Sequence, residues 1–349
     1  MRPLLRRVWR LELPLETPFI SATGVLRSRL LFLLTLTDGE TCGIGEAAPL
    51  PAYDGSNPQQ VLVALTSRRG RRPPQARACE ELARLDLEAR RAGSALCHVV
   101  AETVPVNVTL TAGPAEEVAE RARQGVRAGF STFKLKVGLP DDLERVAAVR
   151  AAVGSWPALR VDANGRWSVD EAVATIRRLE RFDLELVEQP CRTLEELREV
   201  RTRVSVPIAA DEAVADARDV QRAAALEACD AVCVKLSRAG GVRAAREAIE
   251  AAREAGLEPY LASSLDGPWG LAAALQLASE QRLRLASGLA TLSLFSGPVR
   301  ALLPSPANGV APVPAGPGLG VPCDEATLRG LGAEVVAETA ATSGARRVT

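Results

Sequence analysis

The sequence predicts an α/β barrel carrying a second, smaller α+β domain. Three observations point there. From about residue 104 onward, strand-like and helix-like segments alternate. Charged residues recur near the C-terminal ends of the predicted strands at a nearly constant interval. The first hundred residues break this alternation and read as antiparallel strands followed by a helix.

The strand candidates of the alternating part are VPVNVTL (104–110), TFKLKV (132–137), ALRVDAN (158–164), LELVEQ (184–189), VPIAADE (206–212), AVCVKL (231–236), EPYLASS (258–264) and RLRLASG (282–288). Between them lie Ala-, Glu- and Arg-rich segments of helical period, such as AEEVAERARQGVRAG and VRAAREAIEAAREAG, several of them closing on Gly as helix C-termini often do. Strands that alternate with helices build parallel sheets, and eight of them suit a barrel. An open doubly wound sheet is the alternative, weakened because no G-x-G-x-x-G opens the first βα unit.

In the N-terminal part, RVWRLELPL, RLLFLLTLTDG and CGIGEAAPL read as antiparallel strands with a turn at Asp38–Gly39, and 76–92 reads as a helix. The stretch SRRGRRPP reads as a solvated loop, and the chain beyond about 300 is rich in Pro and Gly. We expect residues 1–103 to form the α+β domain, completed by 300–349, and 104–299 to form the barrel.

Composition excludes several functions. Of 349 residues, 47% are hydrophobic and 25% charged, with zero formal net charge and no basic tract, so nucleic acid is not an expected partner. No apolar run reaches the roughly 18 residues of a membrane span. The first residues, MRPLLRRVWRLELPLE, interrupt their apolar stretch with Arg and carry no small-residue cleavage site. The seven cysteines are odd in number and form no C-x-x-C, which argues against a disulfide framework or a zinc ribbon and fits a reducing cytoplasm. His98 is the one histidine, so a multi-His metal site is excluded.

The lysines are the sharpest signal. Among 43 basic residues only Lys134, Lys136 and Lys235 are lysine, and all three lie in predicted strands. Arginine keeps its proton in essentially every protein setting, whereas a lysine can be tuned to release it. In FKLKV, Phe133, Leu135 and Val137 share one strand face, and Lys134 and Lys136 share the other.

Lys136, Asp162, Glu188, Asp211 and Lys235 follow one another at steps of 26, 26, 23 and 24 residues, about one βα unit each, and the series continues to Ser263 and Gly288. In a βα barrel these strand ends converge on one mouth. Three carboxylates without His or Cys make a hard oxygen site, which favours Mg²⁺, with Mn²⁺ a plausible substitute. Lysines flank the acids on both sides. The layout suits removal of a weakly acidic proton next to a carboxylate, with the metal stabilising the charge that forms and a lysine as base. A neighbouring cation such as Lys134 is expected to lower the pKa of Lys136.

Each residue taken singly also has a structural reading. Asp162 could cap a turn before Gly165, Glu188 could be a strand-end hydrogen bonder, Asp211 and Glu212 could cap the next helix, and Lys235 could be a buried ion-pair partner. Asn164 shares the parity of Asp162 and reads as a supporting residue. Cys191 reads as a loop thiol, GPGLG as a turn, and His98 as structural.

The motifs KLK, RVDANG, VEQP, ADE and VKLSRAGG resemble those of the enolase superfamily, muconate-lactonizing subgroup, over roughly 105–290. The resemblance implies a (β/α)7β-type TIM barrel under an N-terminal capping domain, a carboxylate substrate and a possible homo-oligomer. It implies Mg²⁺ bound by Asp162, Glu188 and Asp211, with Lys136 as acid/base and Lys235 on the opposite substrate face. The mandelate racemase subgroup uses a His–Asp dyad, and His98 lies outside the barrel strands. Dipeptide epimerases carry an Asp-x-Asp near the last barrel strand, and no Asp stands between Asp266 and Asp324. YLASSLDGPWGLAAALQLA followed by GLATLSLF is similar to the o-succinylbenzoate synthases, which implies that Ser263, Ser264 and Gly288 receive a second carboxylate. N-succinylamino acid racemisation, cycloisomerisation and a non-catalytic binding barrel are the alternatives. The segments Thr17–Arg29 and Gly45–Pro58 are expected to act as mobile capping loops that shape the substrate pocket.

Overall fold

A computed structural model describes residues 4–67 and 72–341. The Arg-rich stretch 68–71, read above as a loop, and residues 342–349 lie outside the described residues.

The cap is a four-stranded antiparallel sheet in the order β13-β1-β2-β3, formed by β1 (Leu4–Ser21), β2 (Gly24–Thr37), β3 (Cys42–Ala47) and β13 (Glu334–Ala341). In β1, Leu11, Leu13 and Leu15 are buried and alternate with exposed Arg10, Glu12 and Pro14, the period-2 pattern of a sheet with one covered face. Pairing with β2 slips between Pro14 and Phe19. Pro14 and Pro18 have no N–H to donate, so the ladder cannot run through them unchanged. Beyond the slip the hairpin resumes at Phe19↔Leu26 and turns between Ser21 and Gly24. Thr17–Arg29 is therefore the end of a β-hairpin and not a loop. The Asp38–Gly39 turn joins β2 to β3, with Asp38 Oδ1 accepting from the N–H groups of Glu40 and Thr41.

Short α1 (Pro51–Asp54), α2 (Pro58–Ser67) and α3 (Pro74–Ala92) follow. Helix α3 lies directly on β3, and glycine is required there. A Cβ on Gly45 would fall on the Cys79 carbonyl, and one on Gly43 on the backbone of Leu87.

The candidate strand 104–110 is divided. Its first part, β4 (Thr103–Pro105), pairs with β12 (Val310–Pro312) in a separate two-stranded sheet. Its second part, β5 (Val108–Leu110), opens a seven-stranded parallel sheet. The other six strands are β6 (Thr132–Lys136), β7 (Ala158–Asp162), β8 (Leu184–Glu188), β9 (Ile208–Ala210), β10 (Ala231–Val234) and β11 (Glu258–Leu261).

The strands neighbour one another in sequence order, which rules out a doubly wound sheet. The eighth candidate, 282–288, is not a strand. Only Ser287 and Gly288 pair, through single parallel bridges to Val106 and Ala262, and Arg282 takes a left-handed conformation. Those two bridges close the ring between β11 and β5.

Helices α4 (Ala115–Arg127), α5 (Asp142–Val153), α6 (Val169–Leu179), α7 (Leu194–Arg201), α8 (Ala217–Ala225), the single turn α9 (Leu236–Ala239), α10 (Val242–Glu254) and α11 (Pro268–Glu280) follow their strands, and α12 (Glu325–Gly330) precedes β13. Local chemistry starts several of them. Ser168 with Glu171 and Thr193 with Glu196 form capping boxes on α6 and α7, and Asp216 caps α8. Because Asp216 is that cap, Asp211 and Glu212 are free of the capping role. Phe133, Leu135 and Val137 are fully buried in the large core cluster, which leaves Lys134 and Lys136 directed into the barrel. Among the described residues no helix is long and apolar enough to cross a membrane.

Candidate active site

Strand ends deliver the charged side chains to one place. Lys136, Asp162 and Glu188 are the last residues of β6, β7 and β8, while Asp211 and Lys235 directly follow β9 and β10. All five are buried, and Asp162 and Glu188 have no solvent-accessible surface.

Lys134 Nζ donates to both oxygens of Glu188 at 2.8 and 3.0 Å and stands 3.0 Å from Asp162 Oδ2. Lys136 Nζ donates to Asp162 Oδ2 at 2.6 Å and to Asn164 Oδ1 at 3.0 Å. Lys235 Nζ donates to Asp211 Oδ2 at 2.6 Å. Asn164 Nδ2 donates to Glu212 Oε1 at 2.9 Å, and the other oxygen of Glu212 is buried without a partner. The turn reading of Asp162 is partly right, since its Oδ1 accepts the Asn164 N–H at 3.0 Å.

The electrostatics are those of crowded acids held by ammonium groups. Burial acts to raise Asp162, but the adjacent Lys136 and Lys134 outweigh it and hold the carboxyl well below its usual range. Asp211 is likewise held near 2 against burial, chiefly by Lys235. Glu188 goes the other way, pushed up to about 7 by burial and by the charge of Asp162. Burial also pushes Glu212 up to about 8, with Asp211 adding to it. Burial favours the neutral forms of Lys134 and Lys235, yet Glu188 with Asp162, and Asp211, raise them above the ordinary lysine value.

A cavity of about 250 Å³ opens over this floor. Lys134, Lys136, Asn164 and Lys235 line it from below, and Ser263, Ser264 and Gly288 from one side. The carboxylates stand behind the lysines. Ser263 Oγ is engaged with Thr291 Oγ1 at 2.9 Å, whereas Ser264 Oγ is buried without a partner. The cap supplies the roof. Phe19, Val25 and Leu26 of the hairpin and Leu50 and Tyr53 of the β3–α1 region all face the cavity.

The donor set fits a hard divalent cation. Asp162, Glu188 and Asp211 offer oxygen ligands on three successive strands, their mutual repulsion shows in Glu188, and a fourth carboxylate, Glu212, has an orphaned oxygen. Glu188 and Asp211 also bring ligand atoms within 4.8 Å of each other and of the Cys233 thiol, one layer deeper.

Three residues of the site escape the spacing argument. Tyr53 OH donates to Asp211 Oδ1 at 2.6 Å and accepts from Lys235 Nζ, with that nitrogen 3.8 Å from the ring centroid. Tyr260 OH donates to Glu188 Oε2 at 2.7 Å from β11. The chain has two tyrosines, and both bond these carboxylates. Scarcity, the signal that singled out the lysines, would have found them. Arg238 is a third, donating to the carbonyls of Asp211 and Glu212. Of the residues set aside, Cys191 is buried and its thiol is pushed up to about 12 by burial, and His98 is exposed.

A barrel with acid- and lysine-bearing strand ends under a sheet-built cap defines a class, and comparison agrees. Residues 117–327 match the family described as enolase C-terminal domain-like, and the chain belongs to that family. Among individual proteins, the chain is 46% identical over 220 residues to the o-succinylbenzoate synthase of Thermobifida fusca (strain YX), covering 61% of this chain and 68% of the relative. Its fold is shared with the N-succinyl Arg/Lys racemase of Bacillus cereus, at a TM-score of 0.88 and 23% identity over 97% of this chain and 99% of that one. The dipeptide epimerase of Enterococcus faecalis, in complex with Mg and the dipeptide L-Leu-L-Tyr, superposes at a TM-score of 0.84 with 26% identity over 93% of this chain and 100% of that one. The family is one of enzymes.

Proposed function

We propose that this protein is an o-succinylbenzoate synthase, which dehydrates 2-succinyl-6-hydroxy-2,4-cyclohexadiene-1-carboxylate in menaquinone synthesis. The observation that carries the chemistry is the approach of Lys136 and Lys235 to one cavity from β6 and from the end of β10, with Asp162, Glu188 and Asp211 between them. The identity to the Thermobifida fusca enzyme supports the choice of reaction.

On this reading Asp162, Glu188 and Asp211 hold Mg²⁺, which supplies Lewis-acid stabilisation of the negative charge developing on the substrate carboxylate. Lys136, as the free amine, removes the proton α to that carboxylate and returns it to the departing hydroxyl. Lys235 stabilises the enediolate electrostatically from the opposite face, and Tyr53 orients its ammonium. Lys134 stays charged between Asp162 and Glu188 and sets the potential of the floor. Ser263, Ser264 and Gly288 take the succinyl carboxylate, and the partnerless Ser264 hydroxyl is a donor suited to that task. The hairpin end and Tyr53 exclude water from above. The matching domain division is 1–103 with 300–349 as cap and 104–299 as barrel.

A second reading has its own support. A lysine on each side of the cavity can serve both faces of an α-carbon, which is what racemisation of an N-succinylamino acid requires. One experiment separates the two. Loss of cyclohexadiene absorbance is followed with and without Mg²⁺, beside deuterium uptake at the α-carbon of N-succinylamino acids. Fast, chelator-sensitive absorbance loss is expected. Exchange without dehydration would replace the synthase reading by the racemase one.

A further inference from the structure

Far from the barrel mouth, the fold brings together two thiols that are 281 residues apart in sequence. Cys42 opens β3 at the edge of the cap sheet, and Cys323 directly precedes Asp324, the N-cap of α12. Cys42 Sγ donates to the Cys323 carbonyl at 3.5 Å and Cys323 Sγ to the Cys42 carbonyl at 3.2 Å, so each thiol lies against the backbone of the other cysteine. The surroundings fix this apposition. Asp86 of α3 accepts from Ile44 N of β3 at 2.9 Å and from Leu319 N of the C-terminal segment at 2.7 Å. Arg90 donates to Asp86 and to the Val321 carbonyl, and Trp269 donates to the Pro322 carbonyl at 2.9 Å.

Cys42 differs from the other cysteines. It is partly exposed, while the remaining six are buried. Burial pushes the thiols of Cys97, Cys191 and Cys229 up to about 12, whereas Cys42 is lowered, first by its hydrogen bond from Cys323 and further by the charge of Arg90. A partly exposed thiol of lowered pKa beside a second thiol is the arrangement in which one attacks and the other resolves.

We infer that Cys42 and Cys323 form a redox modification site, oxidised by low-molecular-weight disulfides to an intramolecular disulfide that clamps the C-terminal segment to β3. The Cys42 thiolate attacks one sulfur of the small disulfide, forming a mixed disulfide and releasing one thiol. Cys323, whose thiol is raised first by its hydrogen bond with Cys42 and then by burial, gives up its proton as it attacks Cys42 Sγ of the mixed disulfide and releases the second. Two protein thiols become one disulfide, and one small disulfide becomes two thiols. The link would join the cap sheet to the segment that crosses α11 on its way to β13, so it restricts unfolding without entering the barrel mouth.

The full chain is exposed to glutathione disulfide, alkylated to block free thiols, and mapped as non-reduced peptides. The expected result is a Cys42–Cys323 cross-linked peptide, with an unfolding temperature that rises on oxidation and returns with reductant. Cys42→Ser and Cys323→Ser should each remain folded and lose both changes. The inference fails if both thiols remain open to alkylation, if a stable glutathione adduct sits on Cys42 with Cys323 free, or if the temperature shift persists in Cys42→Ser.

Discussion

Two buried acidic clusters among the described residues differ in their surroundings. At the barrel mouth, Asp162, Glu188 and Asp211 meet three lysines on the floor of an open cavity. At the seam between cap and barrel, Glu46 and Asp266 line a small void of about 20 Å³ and feel the charge of Arg29. At the seam the cation is fully engaged. The Arg29 guanidinium donates to the carbonyls of Ala48, Pro49, Ser264 and Leu265, and Glu46 accepts the N–H groups of Gly267 and Gly270 at the start of α11. Cation type and access separate the two clusters. An arginine tied to backbone carbonyls makes a joint, whereas ammonium groups that face a cavity make a site open to a ligand.

Lys136→Arg should give the largest effect on turnover. The charge survives but the basicity does not, so kcat should fall by about 10²–10⁴-fold with the thermal midpoint nearly unchanged; an active, folded variant would remove Lys136 from its proposed role. Next, Asp211→Asn should weaken Mg²⁺ binding by at least the roughly 10–100-fold that loss of an outer-shell partner costs. Titration calorimetry reads this directly, and unchanged affinity would move the metal away from Asp211.

Arg29→Met tests the other cluster. It strips four carbonyls of their donor and leaves Glu46 and Asp266 without a cation, so stability should drop by about 3–5 kcal/mol in denaturant titration. Turnover per folded molecule should suffer far less than in Lys136→Arg. If the reverse ranking is found, the division between joint and site is wrong.

The smallest effect is in pH dependence, and the sign follows from the carboxyls. Burial pushes Glu46 up to about 8 and Asp266 up to about 6, each also raised by another carboxylate nearby. For a carboxyl whose folded pKa is raised, the stability contribution is complete below the unfolded value and is lost as pH rises through the folded one. The seam should therefore weaken between about pH 4 and pH 8. Asp162 and Asp211 are depressed instead, so their contribution is present above the ordinary carboxylate range and is lost only in acid. Glu188, raised to about 7, opposes them in part. Asp266→Asn should flatten the decline of the thermal midpoint between about pH 4 and pH 6, the window between the ordinary aspartate value and the raised one of about 6. An unchanged slope would place the titration elsewhere.

The mouth was legible in the sequence and the seam was not, for a physical reason. Parallel strands that recur once per βα unit place equivalent residues on one rim, so the interval from Lys136 to Lys235 carries three-dimensional information. Arg29, Glu46 and Asp266 meet only because the cap docks on the barrel, and no local period encodes that contact. The same limit hid Tyr53, which reaches Asp211 across the docking surface. The reading of 282–288 as a strand failed differently. Its alternating leucines satisfy the period, but a ring closed by only Ser287 and Gly288 leaves them unpaired. Likewise, 104–110 has strand composition throughout, and only tertiary pairing divides it between two sheets.

The pairing of β13 with β1 has a consequence for the order in which the chain is made. About 300 residues separate the end of β1 from the strand that completes its sheet. On a ribosome adding about 5–20 residues per second, β1 waits roughly 15–60 s with that edge open. An open edge of this length is a template for other chains. Arg6, Arg7 and Arg10 lie along it, opposite Thr339, Glu338 and Glu334 of the strand still to come. Arg7 pairs with Glu325 and Glu338 of that late segment, so during synthesis its guanidinium would lack those two acids and its charge would help keep nascent copies apart until β13 arrives.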